Sequence, residues 1–190
     1  MTLLRSRAIQ PAEGSDNRFR YASSPRCKAS KSHEKQRPMT VTIRPYQAAD
    51  WARLCEIHDA ARLDELQPTV GTDAFLTLEQ TAENEGLFDN QLFVAEVSQR
   101  VRGFVAFSEE ELAWLYVDPP FYQRGVGRAL LQHAVARAGP DMMIEVLEGN
   151  AAALALYLSE GFAVAERVEG KLAGNESHAA VGLVLKKTGP

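Results

Sequence analysis

The chain has 190 residues, of which 45% are apolar and 24% are charged. These proportions fit one folded domain with enough apolar residues to form a core. No apolar run approaches the roughly 20 residues that span a bilayer, which excludes a transmembrane helix. The two cysteines, Cys27 and Cys55, match neither a disulfide framework nor a metal site, and their scarcity favours the reducing cytoplasm.

The net charge of −4 conceals an uneven distribution along the chain. Residues 1–38 contain nine Lys or Arg and three Asp or Glu, whereas the remainder contains twelve and twenty-two. Because residues 1–38 are also poor in aliphatic side chains, they are predicted to be a basic, disordered extension of a domain at 39–188. An organelle transit peptide and a nucleic-acid-binding arm are the two alternatives for this extension.

Regular elements begin directly after the extension. Residues 41–45 predict a short strand, and Asp50 is placed to cap a helix from Trp51 to about Leu66. Thr72 or Asp73 is expected to open a second helix that ends near Gly86.

A run of strands follows these two helices. Residues 92–97 and 101–107 predict a hairpin around 98–100, and residues 111–117 predict a third strand. Trp114 and Tyr116 share one face of this third strand, where they either line an acceptor pocket or pack against a helix.

The remaining third of the chain alternates between helices and strands. A helix is predicted from Arg124 to about Ala138, a strand at 142–146, and a helix from an Asn150 cap to Gly161. Two closing strands at 162–168 and 179–185 complete the domain. The crossover from 111–117 to 142–146 makes those two strands parallel. We therefore expect a three-layer α/β/α fold with a mixed, mostly antiparallel central sheet.

The turn between the third strand and the following helix carries the main chemical signal. Gly125 and Gly127 let an anion approach the unpaired N–H groups of a helix N-terminus, and Arg124 and Arg128 add positive charge. Neither the dinucleotide-binding pattern nor the P-loop pattern is present, since Leu130 stands where the former needs glycine. On its own the turn indicates either a pyrophosphate site or a simple tight turn.

Two segments together resemble the GNAT acetyltransferase family. The stretch from Trp114 to Leu131, with its Asp-Pro-Pro turn and Gly-Val-Gly, is similar to the family's acetyl-CoA signature. Asn150, Tyr157 and Glu160-Gly161-Phe162 resemble a second family segment. One departure is that Tyr122 occupies the position where the family has Arg or Gln. Backbone N–H groups are therefore expected to make most of the contacts with the pyrophosphate of the cofactor.

The resemblance implies an N-acetyltransferase that moves acetyl from acetyl-CoA directly to a primary amine. Tyr157 would protonate the departing thiolate, and Asn150, two helical turns earlier on the same face, would help to hold the cofactor arm. The backbone of the strand at Leu115, Tyr116 and Val117 would bind the pantetheine arm, with an oxyanion donor near Val117. The expected pyrophosphate cradle consists of Tyr122, Gln123, Arg124, Gly125, Val126, Gly127, Arg128 and Ala129.

The base that deprotonates the amine is expected to be Glu111, fourteen residues before Gly125, a spacing found in some members of the family. Glu109 and Glu110 compete with it, and Glu145 and Glu148 are further alternatives. By resemblance, residues 58–75 and 169–178 would form the acceptor pocket. His58 and His133 are interpreted as packed or surface histidines, and no metal site is predicted.

The expected partners are acetyl-CoA and an amine acceptor, with no membrane and with nucleic acid ranked low because the body is acidic. A non-catalytic acyl-CoA-binding regulatory module on the same fold is the alternative function. The identity of the acceptor and the choice between monomer and homodimer are left open by the sequence.

Overall fold

The computed structural model describes residues 9–11, 40–139 and 141–188. Its strands are β1 (Ile9–Pro11), β2 (Thr42–Pro45), β3 (Gln91–Val97), β4 (Arg100–Phe107), β5 (Glu111–Val117), β6 (Met143–Leu147), β7 (Phe162–Leu172) and β8 (Ala179–Lys187). Its helices are α1 (Trp51–Leu66), α2 (Leu78–Thr81), α3 (Val126–Val135) and α4 (Ala151–Ser159). No helix in these ranges is long and apolar enough to cross a membrane.

The strands form one sheet in the order β1-β7-β8-β6-β5-β4-β3-β2. Every neighbouring pair is antiparallel except β5 and β6, which are parallel as the helical crossover requires. Helices cover both faces, with α1 packed on β4 and β5 on one side and α3 packed on β3, β4 and β5 on the other. The predicted three-layer fold with a mixed, mostly antiparallel sheet is therefore confirmed.

The predicted hairpin joins β3 and β4 through Ser98 and Gln99. Both residues have positive φ, 52° and 60°, which is the backbone of the two-residue turns that match the right-handed twist of paired strands. Gly103 on β4 lets β5 and α3 pack close to its backbone. A Cβ at this position would lie 2.8 Å from the Tyr116 carbonyl oxygen and 3.0 Å from Leu130 Cδ1.

A bulge in β5 determines which side chains reach each face of the sheet. Trp114 pairs with Ala106 and Leu112 pairs with Phe107, so that Ala113 is the extra residue. As a result Leu112 packs in the core beneath α3, whereas Trp114 and Tyr116 pack on the side of α1. The bulge thus places two aromatic side chains on the face where α1 lies.

The predicted second helix is wrong, because the chain between Gly71 and Gly86 forms short separate pieces. A single 3-10 turn covers Thr72–Ala74, and Phe75 is then extended, with φ −66° and ψ 131°. The four-residue helix α2 begins afresh at a capping box formed by Thr77 and Gln80. The side chain of each residue accepts a hydrogen bond from the backbone N–H of the other. The capping box therefore begins a new helix and does not continue the 3-10 turn.

The structure also corrects the predicted N-cap of α1. Asp50 makes no capping bond from its side chain to the helix. Its carboxylate instead accepts bonds from Arg44 at 2.7 and 2.8 Å and from the Gln47 N–H at 2.9 Å. Arg44 bonds both oxygens of this carboxylate, and such a bidentate pair of opposite charges holds the side chain away from the helix N–H groups.

Several predicted boundaries move in the structure. The helix α3 begins at Val126 because Gln123 and Gly125 have positive φ, and it ends at Val135. The closing strands extend to Leu172 and Lys187 because they pair with each other over most of their length.

Three residues of the basic extension are described. Ile9–Pro11 form β1, which pairs antiparallel with Gly170–Leu172 at the edge of the sheet. The rest of the extension lies outside the described residues, so its predicted disorder and its two alternatives stay predictions.

The packing of α3 on the sheet yields a test of the core. Leu130→Ala should lower the free energy of unfolding by about 2–5 kcal/mol, because Leu130 is fully buried and a cavity would remain. Leu158→Ala is the matched control, since Leu158 is 48% exposed, and it should cost less than about 0.5 kcal/mol. Denaturation in urea measures both variants, and equal losses would contradict this description of the core.

Candidate active site

The parallel strands β5 and β6 separate soon after they pair. Their pairing consists of Glu111 with Met143 and Leu112 with Ile144, and no later pair follows although both strands continue. The two strands therefore enclose a gap that opens toward their carboxyl ends. In open sheets with parallel strands, ligands bind at such carboxyl ends.

Backbone groups of β5 face this gap. Asp118 donates its N–H to the Arg102 carbonyl on β4 at 2.8 Å, so its backbone points away from β6. Because successive residues of a strand direct their N–H and C=O groups to opposite edges, those of Val117 and Leu115 point toward β6. Without a β6 partner they can bind an extended ligand lying in the gap.

The turn at 122–128 follows β5 after a 3-10 turn at Pro119–Phe121, and its backbone can bind an anion. Gln123 and Gly125 have positive φ, 58° and 87°, and Gly125 is the N-cap residue of α3. Between Gln123 and Arg128, no backbone N–H of the described chain donates to another backbone group. Such a run of unsatisfied donors at a helix N-terminus forms a concave anion site.

The side chains of the turn contribute unequally. Tyr122 and Arg128 line the cavity described below, whereas Arg124 lies over the Phe121 ring, 5.3 Å from its centroid. Arg128 is also held on its outer side by Glu160 at 2.9 Å. Burial, together with Asp64, raises the pKa of Tyr122.

The other two predicted cradle residues do not line the cavity, and the prediction is wrong for the Ala129 N–H. Val126 is fully buried in the core below the turn, and the Ala129 N–H already donates to the Gly125 carbonyl at 3.0 Å. The donors available to an anion therefore end at Arg128.

One cavity of about 640 Å³ connects the turn, the gap and the face of the sheet covered by α1. Of the predicted site residues it is lined by Glu111, Leu115, Tyr116, Val117, Tyr122, Gln123, Gly125, Gly127, Arg128, Asn150 and Tyr157. The predicted acceptor ranges 58–75 and 169–178 also contribute lining residues. The structure therefore brings most of the predicted site residues together in this cavity, whereas Arg124, Val126 and Ala129 do not line it.

Tyr157 lies on α4 with its ring in the core and only 6% of its surface exposed. Burial raises the pKa of its phenol, and the nearby charge of Glu65 adds to this effect. The hydroxyl is therefore protonated at neutral pH and can act as a proton donor within the cavity.

Asn150 has two contacts that fix its place at the start of α4. Its Oδ1 accepts from the Ala153 N–H at 3.1 Å, which confirms the predicted cap. Its Nδ2 lies 3.5 Å from Glu65 Oε1 and donates a long bond there. The cap orients the start of α4 while the amide faces the cavity.

The structure separates the candidate bases into two groups. Glu111 and Glu145 line the cavity. Glu109 and Glu110 do not line it and are exposed, and Glu148 is engaged with Arg167 on the surface at 2.9 Å. Geometry therefore keeps Glu111 and Glu145 as candidates.

Sequence reasoning missed a hydrogen-bonded cluster on α1. Glu65 Oε2 accepts from Arg62 Nη1 at 2.7 Å and from the Tyr116 hydroxyl at 3.1 Å. Arg62 also donates to the Tyr116 oxygen at 3.4 Å. The three side chains are mostly buried and all line the cavity.

Electrostatics of this cluster follow from its burial. Desolvation acts to lower the pKa of Arg62, but interactions with Tyr116, Glu65 and Glu85 outweigh it, so the pKa is raised. Desolvation also raises the pKa of Tyr116, opposed by Arg62 and reinforced by Glu65 and Glu85. The guanidinium thus stays charged and the phenol stays protonated.

His58 was interpreted as a packed histidine, and it is 2% exposed. Its ring packs edge-on against Tyr116, with centroids 4.8 Å apart, and Nδ1 lies 2.9 Å from Asp59 Oδ1. Burial lowers the pKa of His58, which keeps the ring neutral near neutral pH. It also lines the cavity, so it shapes the site without adding charge.

Within the described ranges, no group of three or more His, Cys, Asp or Glu side chains could hold a metal ion.

Comparison with known proteins agrees with this geometry. A family model described as Acetyltransferase (GNAT) domain matches residues 88–164. Peptidyl-lysine N-acetyltransferase YjaB of Escherichia coli (strain K12) is 35% identical over 105 residues, which cover 52% of this chain and 70% of YjaB. Peptidyl-lysine N-acetyltransferase YiaC of the same strain is 35% identical over 81 residues, which cover 42% of this chain but only 55% of YiaC.

A solved structure confirms the fold. The structure of YncA from Salmonella typhimurium with its cofactor acetyl-CoA has a TM-score of 0.57 and 23% sequence identity, and the match covers 79% of this chain and 95% of YncA. The predicted family resemblance is confirmed by the match to YjaB, which is 35% identical and covered to 70% of its length.

Proposed function

We propose that this chain, which belongs to the GNAT family of N-acetyltransferases, transfers the acetyl group of acetyl-CoA directly to a primary amine. The observation that carries the proposal is the single cavity that joins the anion-binding turn, the gap between β5 and β6, the phenol of Tyr157 and the carboxylate of Glu111. The cytoplasmic location and the choice between monomer and homodimer stay predictions.

The described residues fit acetyl-CoA in two places. The unsatisfied N–H groups of residues 123–128 would hold its pyrophosphate, and the β6-facing backbone of Leu115 and Val117 would hold its pantetheine arm. Bound there, acetyl-CoA would supply an activated thioester to the cavity that Tyr157 lines. Asn150 would orient the arm through its side-chain amide.

The acceptor must lose a proton before it attacks the thioester carbonyl. A carboxylate that lines the cavity can accept that proton directly or through bridging waters. From Glu111 such waters are needed, because Val117 lies about 20 Å further along β5. Glu111 is our assignment, and Glu145 on the neighbouring strand is the alternative. A backbone N–H near Val117 would stabilise the oxyanion that forms during attack.

The leaving thiolate needs a proton in return. Tyr157 is the donor in our proposal, since its phenol lines the cavity and burial keeps it protonated. The same burial makes the phenol a weak acid, but a thiolate in the same dry cavity is also a stronger base than in water.

Direct transfer is favoured over a cysteine intermediate. Cys55 does not line the cavity, and burial, with Glu79 adding to it, raises its pKa to about 11. A thiol with that pKa is a poor nucleophile at neutral pH. Cys27 lies outside the described residues.

The pyrophosphate assignment is tested by Gly125→Ala. The substitution strains a residue at φ 87° by about 1–2 kcal/mol and places a methyl group where the phosphate would approach. We expect roughly a tenfold loss of acetyl-CoA affinity, equal to about 1.4 kcal/mol, by calorimetry.

Gly161→Ala is the matched control for this strain. Gly161 has φ 85°, has open space where the added methyl group would lie, and does not line the cavity. The variant should lose similar stability but keep its affinity for acetyl-CoA. Equal affinity losses in the two variants would show that strain, not phosphate contact, is measured.

Tyr157→Phe tests the acid. The ring stays in its core position, so acetyl-CoA affinity should change by less than about twofold, whereas kcat should fall by roughly 10²- to 10⁴-fold because the proton donor is lost. Thiol release measures turnover and calorimetry measures binding. If turnover and acetyl-CoA affinity fell by the same factor, the assignment of Tyr157 as the acid would be wrong.

Glu111→Gln tests the base. We expect kcat at neutral pH to fall by roughly 10²- to 10⁴-fold, together with loss of the limb of the pH profile on which the rate rises as the base deprotonates. Glu110→Gln is the control, because Glu110 is an exposed neighbour outside the cavity. A large loss in Glu145→Gln with a small loss in Glu111→Gln would assign the base to Glu145 instead.

A further inference from the structure

Asp118 is a buried acidic residue that the proposed chemistry does not use. It directly follows β5, it is 7% exposed, and it does not line the cavity. A carboxylate in such a position needs partners that offset its loss of hydration. The position also matters for function, because the turn at 122–128 begins only a few residues later along the chain.

Two arginine side chains from different elements meet this carboxylate. Arg102 on β4 donates from Nη1 to Oδ2 at 2.8 Å, and Arg53 on α1 donates from Nη2 to the same oxygen. Arg53 has further acceptors, namely Glu56 at 2.7 Å and the Val101 carbonyl at 3.2 Å. The carboxylate of Asp118 therefore joins α1, β4 and the end of β5 at one point.

Arg102 depends on Asp118 more than Arg53 does. Within the described ranges, the bond to Asp118 is the one hydrogen bond of the Arg102 side chain, and its buried Nε has no partner. The Arg102 guanidinium lies over the Phe121 ring, 4.2 Å from the centroid, and the Arg124 guanidinium lies 5.3 Å from the centroid of the same ring. Loss of the Asp118 carboxylate would therefore release Arg102 and loosen the packing around Phe121.

The backbone of Asp118 restrains the same segment. Its N–H donates to the Arg102 carbonyl at 2.8 Å, and its own carbonyl accepts from the Phe121 N–H at 2.7 Å. Phe121 is the last residue of the 3-10 turn that precedes Tyr122, and it lines the cavity. The side chain and the backbone of Asp118 thus hold the chain just before the N–H groups that are offered to an anion.

The donors of the turn need this kind of support. Because the N–H groups between Gln123 and Arg128 bind no backbone acceptor in the described chain, their directions are set by the segments on either side. The following segment is held by the core, in which Val126 is fully buried. The preceding segment is held at Asp118. A binding group keeps its geometry only when the residues around it are themselves fixed.

We propose that Asp118 is a positioning residue for the pyrophosphate of acetyl-CoA. It does not touch the cofactor, and it acts through Arg102 and Phe121 on the turn that would bind the phosphates. This inference rests on the proposed function, and in particular on the assignment of that turn. A residue that only stabilised the fold would affect every part of the cofactor site alike, whereas Asp118 should affect the part that binds phosphate.

The test compares the binding of two acetyl donors to the full chain. Acetyl-CoA carries the pyrophosphate, whereas S-acetylpantetheine has the same thioester and pantetheine arm without it. Calorimetry gives the Kd of each donor and requires no acceptor amine. For Asp118→Ala we expect a roughly tenfold loss of affinity for acetyl-CoA, about the worth of one hydrogen bond to a charged group, and a change of less than about twofold for S-acetylpantetheine.

Two further variants support this comparison. Asp118→Asn keeps a neutral oxygen that Arg102 can reach, so its loss of acetyl-CoA affinity should lie between those of the wild type and Asp118→Ala. If Asp118→Ala does not fold, Asp118→Asn carries the same comparison of the two donors. Glu56→Gln is the matched control, because it removes the other carboxylate bound to Arg53, its side chain is 65% exposed, and it does not line the cavity. It should leave both affinities unchanged.

Failure of this inference differs from failure of the proposed function. Equal losses of affinity for the two donors in a folded variant, or an unchanged affinity for acetyl-CoA, would overturn the positioning role and leave acetyl transfer intact. If the wild type binds acetyl-CoA no better than S-acetylpantetheine, the pyrophosphate assignment fails and the inference falls with it. If the wild type binds acetyl-CoA but releases no thiol with any amine, only the catalytic part of the proposed function fails.

Discussion

The site depends on the early end of hydrogen bonding between β5 and β6. After two residue pairs the strands separate, and the edge of β5 keeps backbone groups that no neighbouring strand satisfies. Unpaired backbone groups inside a protein are costly unless a ligand or water binds them. The separation therefore turns part of a sheet into a binding surface. It also places that surface between the turn at 122–128, which follows β5, and α4, which follows β6.

A second constraint is the polar cluster on the opposite wall. Arg62, Glu65 and Tyr116 hold one another in a mostly buried position, and such a group contributes little net stability because desolvation opposes the attraction. Its effect is geometric, since each member limits the rotamers of the other two. The bulge at Ala113 is what lets Tyr116 take part, because it places that side chain on the α1 face. A sheet irregularity and a helix thus define one wall together.

The sequence predicted what local patterns encode and missed what depends on distant contacts. The turn with Gly125, the Asn150 cap and Tyr157 all lie in one segment whose spacing is informative by itself. Glu65 and Glu85 carry no such pattern, and they become part of the site only because α1 and the following segment fold onto β5. The broken second helix was predictable in part, since Thr77 and Gln80 have the spacing of a capping box. Asp50 was not, because its partner Arg44 lies on a strand that the sequence could not place beside it.

The carboxylate of Glu65 has two opposite consequences for the proposed chemistry. The charge of Glu65 adds to the effect of burial in raising the pKa of the Tyr157 phenol, and the phenol therefore stays protonated. The same charge stabilises an incoming ammonium, which helps binding but opposes the loss of a proton from that amine. An amine that binds beside this carboxylate therefore needs a base close to it. Glu111 and Glu145 line the cavity from the two strands that bound the gap, and our proposal assigns the role of base to one of them.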